Sequence, residues 1–280
     1  MDGFLLIDKE KGISSNQLVQ KVKKTLSLKK VGHLGTLDPM ATGLMILAIN
    51  RATKFSNYFL ESDKSYDASV QLGYSTDTDD AMGNIISSSD IIPDEKNINE
   101  SLASFIGRSM QVAPFFSALK YKGKPLYKYA REGEFISKPP REINIFSIKD
   151  IKCNLNKCSF IIHCSKGTYI RSIARDLGDK LNCGGHLSAL RRLSQGSFNI
   201  ENAMTIENIE LNKLITIEKA FSELSEIKLN FNQTKVFMNG GKIQEINFKD
   251  DIYKIYDSSE KFVGLGLISN SVLALKRLVK

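Results

Sequence analysis

Residues 32–43, with the sequence GHLGTLDPMATG, suit neither a helix nor the interior of a sheet. The three glycines permit backbone angles that residues with side chains resist, and Pro39 fixes its own φ while moving Asp38 away from helical angles. An Asp-Pro turn beside a chance histidine is the structural alternative. The surrounding glycines, threonines and histidine favour a loop that holds one carboxylate in place, which is a candidate active site.

The length and charge of the chain limit its organisation and its partners. The 280 residues can form one large core with room for a small accessory domain. A formal net charge of +8 favours a polyanionic partner, because lysines and arginines release counterions when they bind phosphates. A lysine-rich surface can also serve solubility alone, so the charge does not name the partner.

The cysteines and the apolar runs argue against several classes of protein. Four cysteines lack the close CxxC pairs of a zinc site and are typical of reduced thiols. The first residues carry no basic segment and too short an apolar run for a signal peptide, and no run of about 18 apolar residues occurs. We expect a cytoplasmic protein without a metal, a cofactor or a membrane contact.

Apolar spacing predicts the order of the regular elements. Strands are expected over residues 4–7, 44–49, 66–72 and 159–164. A helix should start at Ser14 or Ser15, and another should follow Thr168 as its N-cap. From about residue 227 the pattern becomes short alternating strands with turns between them. The chain should therefore divide into a domain over 1–225 and a small β domain over 226–280.

Aromatic and basic residues alternate between about residues 114 and 141. Rings can stack on exposed bases while lysines and arginines follow the phosphates, which suits RNA. A helix with an aromatic core face and solvated lysines is the alternative. The residues alone do not decide between the two.

The segment around Asp38 resembles the catalytic motif of the TruB family of pseudouridine synthases. The resemblance continues in the same order along the first two hundred residues. The further matching blocks are 5–9 with 12–15, 62–66, 73 with 76–79, 117–121, 163–171 and 190–193.

The resemblance implies roles for individual residues. Asp38 would be the reacting carboxylate, and Arg171 would orient it and keep its pKa low. Tyr66 would stack on the base and later take part in proton removal from C5. Contacts to the substrate would come from the residues at four further positions: His33, Lys9, Tyr169 and Leu190. For Lys9 and Leu190, a surface lysine and a core leucine remain the alternatives. Asp77 and Asp79 also fall in a matching block, but they could simply cap a turn.

The resemblance also implies a fold and a reaction. The fold would be α+β, with a mixed sheet that carries the cleft, an RNA-clamping insertion near 110–145 and a PUA-like C-terminal domain. The reaction would be isomerisation of uridine to pseudouridine at position 55 in the T-loop of tRNA, by a monomer without a cofactor or an obligate protein partner. A guide-RNA-dependent synthase and a tRNA-folding chaperone are the alternatives.

Overall fold

The computed structural model describes residues 1–91 and 93–280. Within those residues the chain forms eighteen strands, seven α-helices and three short 3₁₀ helices. The strands are β1 (Gly3–Lys9), β2 (Val31–His33), β3 (Thr42–Ile49), β4 (Lys64–Leu72), β5 (Tyr74–Thr76), β6 (Ile85–Ser88), β7 (Gly107–Gln111), β8 (Lys120–Tyr121), β9 (Lys124–Pro125), β10 (Arg141–Asn154), β11 (Lys157–Cys164), β12 (Gly185–Gln195), β13 (Phe198–Asn199), β14 (Ile215–Thr216), β15 (Glu226–Lys228), β16 (Ile252–Tyr256), β17 (Phe262–Ser269) and β18 (Val272–Leu278). The α-helices are α1 (Ser15–Thr25), α2 (Ser56–Leu60), α3 (Glu95–Ala103), α4 (Leu126–Arg131), α5 (Ile170–Lys180), α6 (Ile217–Ala220) and α7 (Phe231–Met238), and the 3₁₀ helices are Asn50–Phe55, Ile200–Asn202 and Leu211–Lys213.

A large mixed sheet forms the body of the molecule. Its strands follow the order β14-β1-β3-β12-β4-β11-β10-β7, with β2 beside β3 and β13 beside β12. The β3–β12 pair is parallel, whereas the other pairs of this sheet are antiparallel. The expected mixed sheet is therefore confirmed, and the parallel pair joins the start of β3 to the end of β12.

Local sequence explains the first elements. The apolar runs of β1 and β3 are buried and pair along their whole length, from Gly3 opposite Ile49 to Lys9 opposite Gly43. Helix α1 begins after Ser14, whose hydroxyl accepts from the Gln17 amide in a capping box. The predicted strand at 4–7 and the predicted helix after Ser14 are confirmed.

Helix α5 begins differently from the prediction. The N-cap position is Tyr169, which makes no side-chain capping bond. The Thr168 hydroxyl instead donates to the Ser165 carbonyl at 2.9 Å. Thr168 therefore closes the turn between β11 and α5 and does not cap the helix, so the expectation for this residue was wrong.

A second sheet follows residue 225. It has the order β15-β16-β17-β18, and α7 packs against β18. Leu265 of β17 lies in a buried aromatic cluster with Phe4 and Phe59, whose ring centroids are 5.1 Å apart. The α+β class with a small C-terminal β unit is confirmed. The division at 225/226 and the PUA-like character stay predictions.

The insertion expected near 110–145 emerges between β7 and β10 as residues 112–140. It contains the short hairpin β8–β9 and helix α4, and cations lie over its aromatic rings, such as Lys124 over Tyr129 at 4.4 Å. The two strands that carry it are neighbours in the large sheet. Both ends of the insertion are therefore fixed at one edge of that sheet.

Candidate active site

Three elements meet around the loop between β2 and β3, residues 34–41, which we call the Asp38 loop. Strand β4 brings Tyr66, the first turn of α5 brings Arg171, and β12 brings Leu190. Together they line a pocket of about 120 Å³ whose remaining lining residues are Thr36, Leu37, Thr168, Tyr169 and Ile170. The sequence-predicted catalytic residues Asp38, Tyr66 and Arg171 are thus brought to one pocket.

An ion pair lies at the centre of this site. Arg171 Nε is 2.9 Å from Asp38 Oδ2, and the arginine is 5% exposed while the Asp38 side chain is 40% exposed. Two other donors of Arg171 bond to backbone carbonyls, Nη1 to Thr78 at 3.1 Å and Nη2 to Phe116 at 2.9 Å. These bonds fix the guanidinium, so its Nε edge faces a carboxylate that remains accessible from the cleft.

Asp80 is a second carboxylate beside Arg171 that sequence reasoning missed. Its Oδ2 is 3.6 Å from Arg171 Nη1, and its Oδ1 accepts from the Thr78 hydroxyl at 2.8 Å and from the Met82 amide at 2.9 Å. The sequence drew attention to Asp77 and Asp79 in the same block. Nothing in the spacing distinguishes Asp80 from them, because only the tertiary structure brings it to the arginine.

The two neighbouring aspartates have other partners. Asp79 accepts from Arg175 Nη1 at 3.0 Å, and Asp77 accepts from the Asn84 amide at 2.9 Å. Burial raises the pKa of Asp79 to about 6 against the opposing charges of Arg175 and Arg171. Asp77 closes a turn, which agrees with the alternative that this residue caps a turn.

Burial in the cleft raises the pKa of Asp38 above its ordinary value. Arg171 opposes this shift, the negative charge of Asp80 adds to it, and Lys9 opposes it. The sequence led us to expect a low pKa maintained by Arg171. The arginine does lower the pKa, but desolvation has the larger effect.

Tyr66 forms an aromatic wall of the pocket. It is 7% exposed and lies directly opposite Arg192 in the β4–β12 ladder. Burial raises the pKa of Tyr66 to about 12, although the charge of Arg192 acts against this shift. The side chain is therefore a neutral phenol near pH 7, with an apolar ring face available for stacking.

Buried donors hold the backbone of the Asp38 loop. Arg192 Nε donates to the Leu44 carbonyl at 2.7 Å, just beyond the loop, and its other nitrogens lie 3.3 and 3.4 Å from the carbonyls of Gly35 and Thr36. Gln195 Nε2 donates to the Leu34 carbonyl at 2.5 Å. Ser15 Oγ donates to the carbonyl of Leu37 and accepts from its amide, both at 2.8 Å. Sequence reasoning did not find these contacts, because the partners lie between 22 and 161 positions apart along the chain.

Lys9 belongs to the same set of donors and does not line the cleft. Its side chain is completely buried, and Nζ donates to the carbonyls of Ala41 at 2.6 Å, Glu10 at 2.9 Å and Pro39 at 3.4 Å. Burial lowers the pKa of Lys9 to about 8, against the opposing charge of Asp38. The carbonyls of Ala41 and Pro39 belong to the Asp38 loop and that of Glu10 follows Lys9 in the chain. The substrate contact expected for Lys9 stays a prediction.

The other predicted contact residues differ in position. Tyr169 and Leu190 are half-buried and line the pocket beside Asp38. His33 is exposed at the end of β2, outside the residues that line the pocket. An RNA contact by His33 would therefore lie on the surface next to the Asp38 loop.

A second, wider cavity of about 570 Å³ adjoins the ion pair. It shares Asp38 and Arg171 with the smaller pocket and is bordered by the start of α1 and by the insertion, including Tyr127 and Arg131. In residues 1–91 and 93–280 no cluster of three metal-ligating side chains occurs, and no helix is long and apolar enough to cross a bilayer. The site thus offers one accessible carboxylate, a fixed guanidinium and aromatic walls.

The fold and the site together define a class of protein, a mixed-sheet α+β protein with a loop-held aspartate paired to an arginine in a cleft. Family models match three successive parts of the chain. They are described as TruB family pseudouridylate synthase (N terminal domain) over residues 23–170, tRNA pseudouridylate synthase B C-terminal domain over 171–228, and Pseudouridine synthase II TruB, C-terminal over 225–279.

Curated relatives agree over the whole length. The tRNA pseudouridine synthase B of Clostridium kluyveri is 41% identical over 95% of this chain and 96% of the relative. The protein of the same name from Burkholderia pseudomallei (strain 668) is 38% identical over 100% of this chain and 97% of the relative. The chain belongs to the TruB family of pseudouridylate synthases.

Solved structures share the fold. A chain from a structure of an H/ACA RNP bound to a substrate RNA containing 2'-deoxyuridine superimposes with a TM-score of 0.73 at 22% identity, covering 99% of this chain and 85% of that chain. A chain from the crystal structure of a Cbf5-Nop10-Gar1 complex gives 0.74 at 23%, with 99% and 85% covered. These likenesses show that the architecture extends over almost the whole of this chain.

Proposed function

We propose that this chain converts uridine to pseudouridine in tRNA, with Asp38 as the reacting carboxylate. The observation that carries the proposal is the Asp38–Arg171 ion pair at 2.9 Å in a pocket with an aromatic wall. Full-length relatives at 38–41% identity bear the name tRNA pseudouridine synthase B. The position in the T-loop, uridine 55, is part of the proposal.

The reaction needs one carboxylate and no redox step. The N1–C1′ bond breaks, the uracil turns, and a bond forms between C5 and C1′. C5 then loses its proton and N1 gains one, so the product is an isomer of the substrate. Asp38 acts as a nucleophile toward the base or the sugar, or as the base that takes a sugar proton to give a glycal. Each route needs the ionised carboxylate. Within the described part of the chain, Asp38 forms its ion pair through Oδ2 alone. The other carboxylate oxygen, Oδ1, is left for the substrate.

Arg171 and Tyr66 support this chemistry in different ways. The guanidinium favours the anionic form of Asp38 and fixes its direction, because the carbonyls of Thr78 and Phe116 fix the guanidinium in turn. Tyr66 stacks on the uracil after the base has left its helical stack. With its pKa raised to about 12, Tyr66 can accept the C5 proton only if its own phenolic proton moves to another acceptor.

The pocket is too small for more than the reacting base. A volume of about 120 Å³ beside Leu190 and Tyr169 suits one pyrimidine ring whose sugar and phosphates remain outside. The insertion, with exposed lysines among its rings, supplies the surface that follows the RNA backbone. The uridine must therefore be flipped out of its loop to react.

Tritium release tests the proposal directly. A tRNA transcript made with 5-tritiated uridine should release one equivalent of tritium with the wild-type protein. Replacement of the T-loop uridine in the transcript, or the change Asp38→Asn in the protein, should abolish the release. Release from a different position would refute the T-loop assignment. Tight tRNA binding without any release would refute the proposed enzymatic activity.

Two alternatives lead to different results in the same assay. A guide-RNA-dependent synthase, favoured only by the shared fold of the H/ACA RNP chain, would be inactive on tRNA until a guide and partner proteins were added. A tRNA-folding chaperone would keep its effect on tRNA folding in Asp38→Asn. Independence from protein partners, a monomeric state and a cytoplasmic location stay predictions.

A further inference from the structure

Both ends of the insertion contact one residue of the pocket wall. Gln111 is the last residue of β7 and Arg141 is the first of β10, and the two lie directly opposite each other in the antiparallel ladder. Both contact Tyr169, which lines the pocket beside Asp38. The insertion therefore begins and ends at the residue pair that holds this wall.

Gln111 holds the backbone of Tyr169. Its Oε1 accepts from the Tyr169 amide at 2.8 Å, and its Nε2 donates to the Tyr169 carbonyl at 3.1 Å. Gln111 is 2% exposed, so water cannot replace either bond in place. The peptide of Tyr169 is thereby fixed to the end of β7.

Arg141 holds the ring of the same residue. Its guanidinium carbon lies 4.4 Å from the centroid of the Tyr169 ring, and one guanidinium nitrogen donates to the Gly167 carbonyl. Within the described part of the chain Arg141 forms no ion pair, and its buried Nε has no hydrogen-bond partner. The ring and the Gly167 carbonyl therefore hold this cation, and no carboxylate does.

We propose that Gln111 and Arg141 are positioning residues that transmit the placement of the insertion to the Tyr169 wall of the pocket. This inference rests on the proposed function, since it assigns the insertion and the pocket to one substrate. A displacement of the insertion by bound RNA moves the ends of β7 and β10 and, through them, the peptide and ring of Tyr169.

Further bonds strengthen the link between the insertion and α5. The Val112 carbonyl accepts from the Ser172 hydroxyl at 2.9 Å and from Arg175 Nη2 at 3.2 Å. The Phe116 carbonyl accepts from Arg171, the partner of Asp38, at 2.9 Å. The same segment thus bonds to the helix that carries Arg171, which couples the base of the insertion to the pocket.

A double-mutant cycle tests the role of Arg141. Arg141→Gln should lower the single-turnover rate constant at saturating tRNA by about fivefold while the tRNA Kd stays within about twofold, because the cation–π interaction that holds the pocket wall is removed. In the Tyr169→Leu background the same change should have almost no further effect, because the ring on which Arg141 acts is absent. Arg141→Lys should restore part of the rate.

The matched control is Arg108→Gln, which removes the same charge from an exposed position on the same β7–β10 ladder, opposite Asn144. It should leave the rate constant unchanged. The inference is overturned if Arg108→Gln behaves like Arg141→Gln, or if Arg141→Gln keeps its full effect in the Tyr169→Leu protein. A weaker Kd with a smaller salt slope would also overturn it, because Arg141 would then bind a phosphate of the RNA.

A measurement on the free protein separates this inference from the proposed function. Amide hydrogen exchange over residues 165–172 should be faster in Arg141→Gln than in the wild type and unchanged in Arg108→Gln. This result does not depend on activity. An inactive wild-type protein would refute the proposed function, whereas equal exchange in the two variants would refute the positioning role.

Discussion

The Asp38 loop and the insertion border the same site but are held by different interactions. The loop is held by buried side chains that donate hydrogen bonds to backbone carbonyls. They include Arg192, which is 1% exposed, and Gln195 and Lys9, which are 0% exposed. The insertion is stabilised by half-exposed contacts such as the Lys124–Glu132 ion pair and cations over tyrosine rings. Buried hydrogen bonds to a backbone allow few conformations, whereas exposed ion pairs are weak and readily exchanged.

The difference corresponds to two tasks. A reacting carboxylate must be placed to within a fraction of an ångström, which the buried donors achieve. A surface that receives a folded RNA must adjust to it, which exposed contacts allow at little cost in free energy. The insertion contacts the pocket wall at its base, through Gln111, Arg141 and the Phe116 carbonyl.

The largest expected effect comes from Asp38, the proposed reacting group. Asp38→Asn keeps the shape of the side chain but removes the anion, so the single-turnover rate should fall by at least about a thousandfold. The tRNA Kd should change by no more than a few-fold, because the insertion and the surface lysines remain. Filter binding and tritium release on the same preparation measure both quantities. Residual activity within tenfold of wild type would exclude Asp38 as the reacting residue.

The pH dependence should report the burial of Asp38. The carboxylate must be ionised, and its pKa is raised, so protonation starts at a higher pH than for an exposed aspartate. The rate should fall about tenfold for each pH unit below that raised pKa. Single-turnover rates between pH 4 and 8 measure this acid limb, and tRNA binding serves as the control. A flat profile down to the ordinary aspartate pKa would contradict the shift.

Removal of one hydroxyl, that of Ser15, should weaken the hydrogen bonds that hold the Asp38 loop. Ser15→Ala leaves the amide and carbonyl of Leu37 without their partner, which should lower the free energy of unfolding by about 1–3 kcal/mol and also slow the reaction. Ser137→Ala removes an exposed hydroxyl of the insertion and should change the free energy of unfolding by less than about 0.5 kcal/mol. Urea unfolding of both variants compares the two regions, and equal losses would show that they are held alike.

The smallest effect is expected from exposed lysines of the insertion. Replacing Lys122 and Lys128 with glutamine should weaken tRNA binding a few-fold and reduce the slope of log K against log salt by about 0.7–0.9 for each phosphate that is no longer neutralised. Lys96→Gln, on the exposed face of α3, is the matched control. Titrations at several salt concentrations give the slopes. An unchanged slope in the double variant would show that the insertion is not part of the RNA-binding surface.

Sequence reasoning predicted which side chains meet at the candidate site better than which residues hold them in place. The glycine- and proline-shaped loop around Asp38 and the turn before Arg171 are local patterns, and the structure brings both to one pocket. The burial of Lys9 was not predicted, because it depends on β1 pairing with β3, which the local pattern does not reveal. Arg192 and Gln195 were missed because their partners lie about 150 positions away, where no spacing rule applies.

The parallel pairing of β3 with β12 has a consequence for how the protein folds. Arg192 reaches the Leu44 carbonyl across 148 positions of sequence, so this bond closes a long stretch of chain. Contacts of such separation form late, because the entropy of loop closure is lost before they contribute any free energy. We therefore expect the backbone around Asp38 to acquire its final shape near the end of folding. An intermediate in which β1 and β3 have paired but β12 has not docked would contain the aspartate and lack the site.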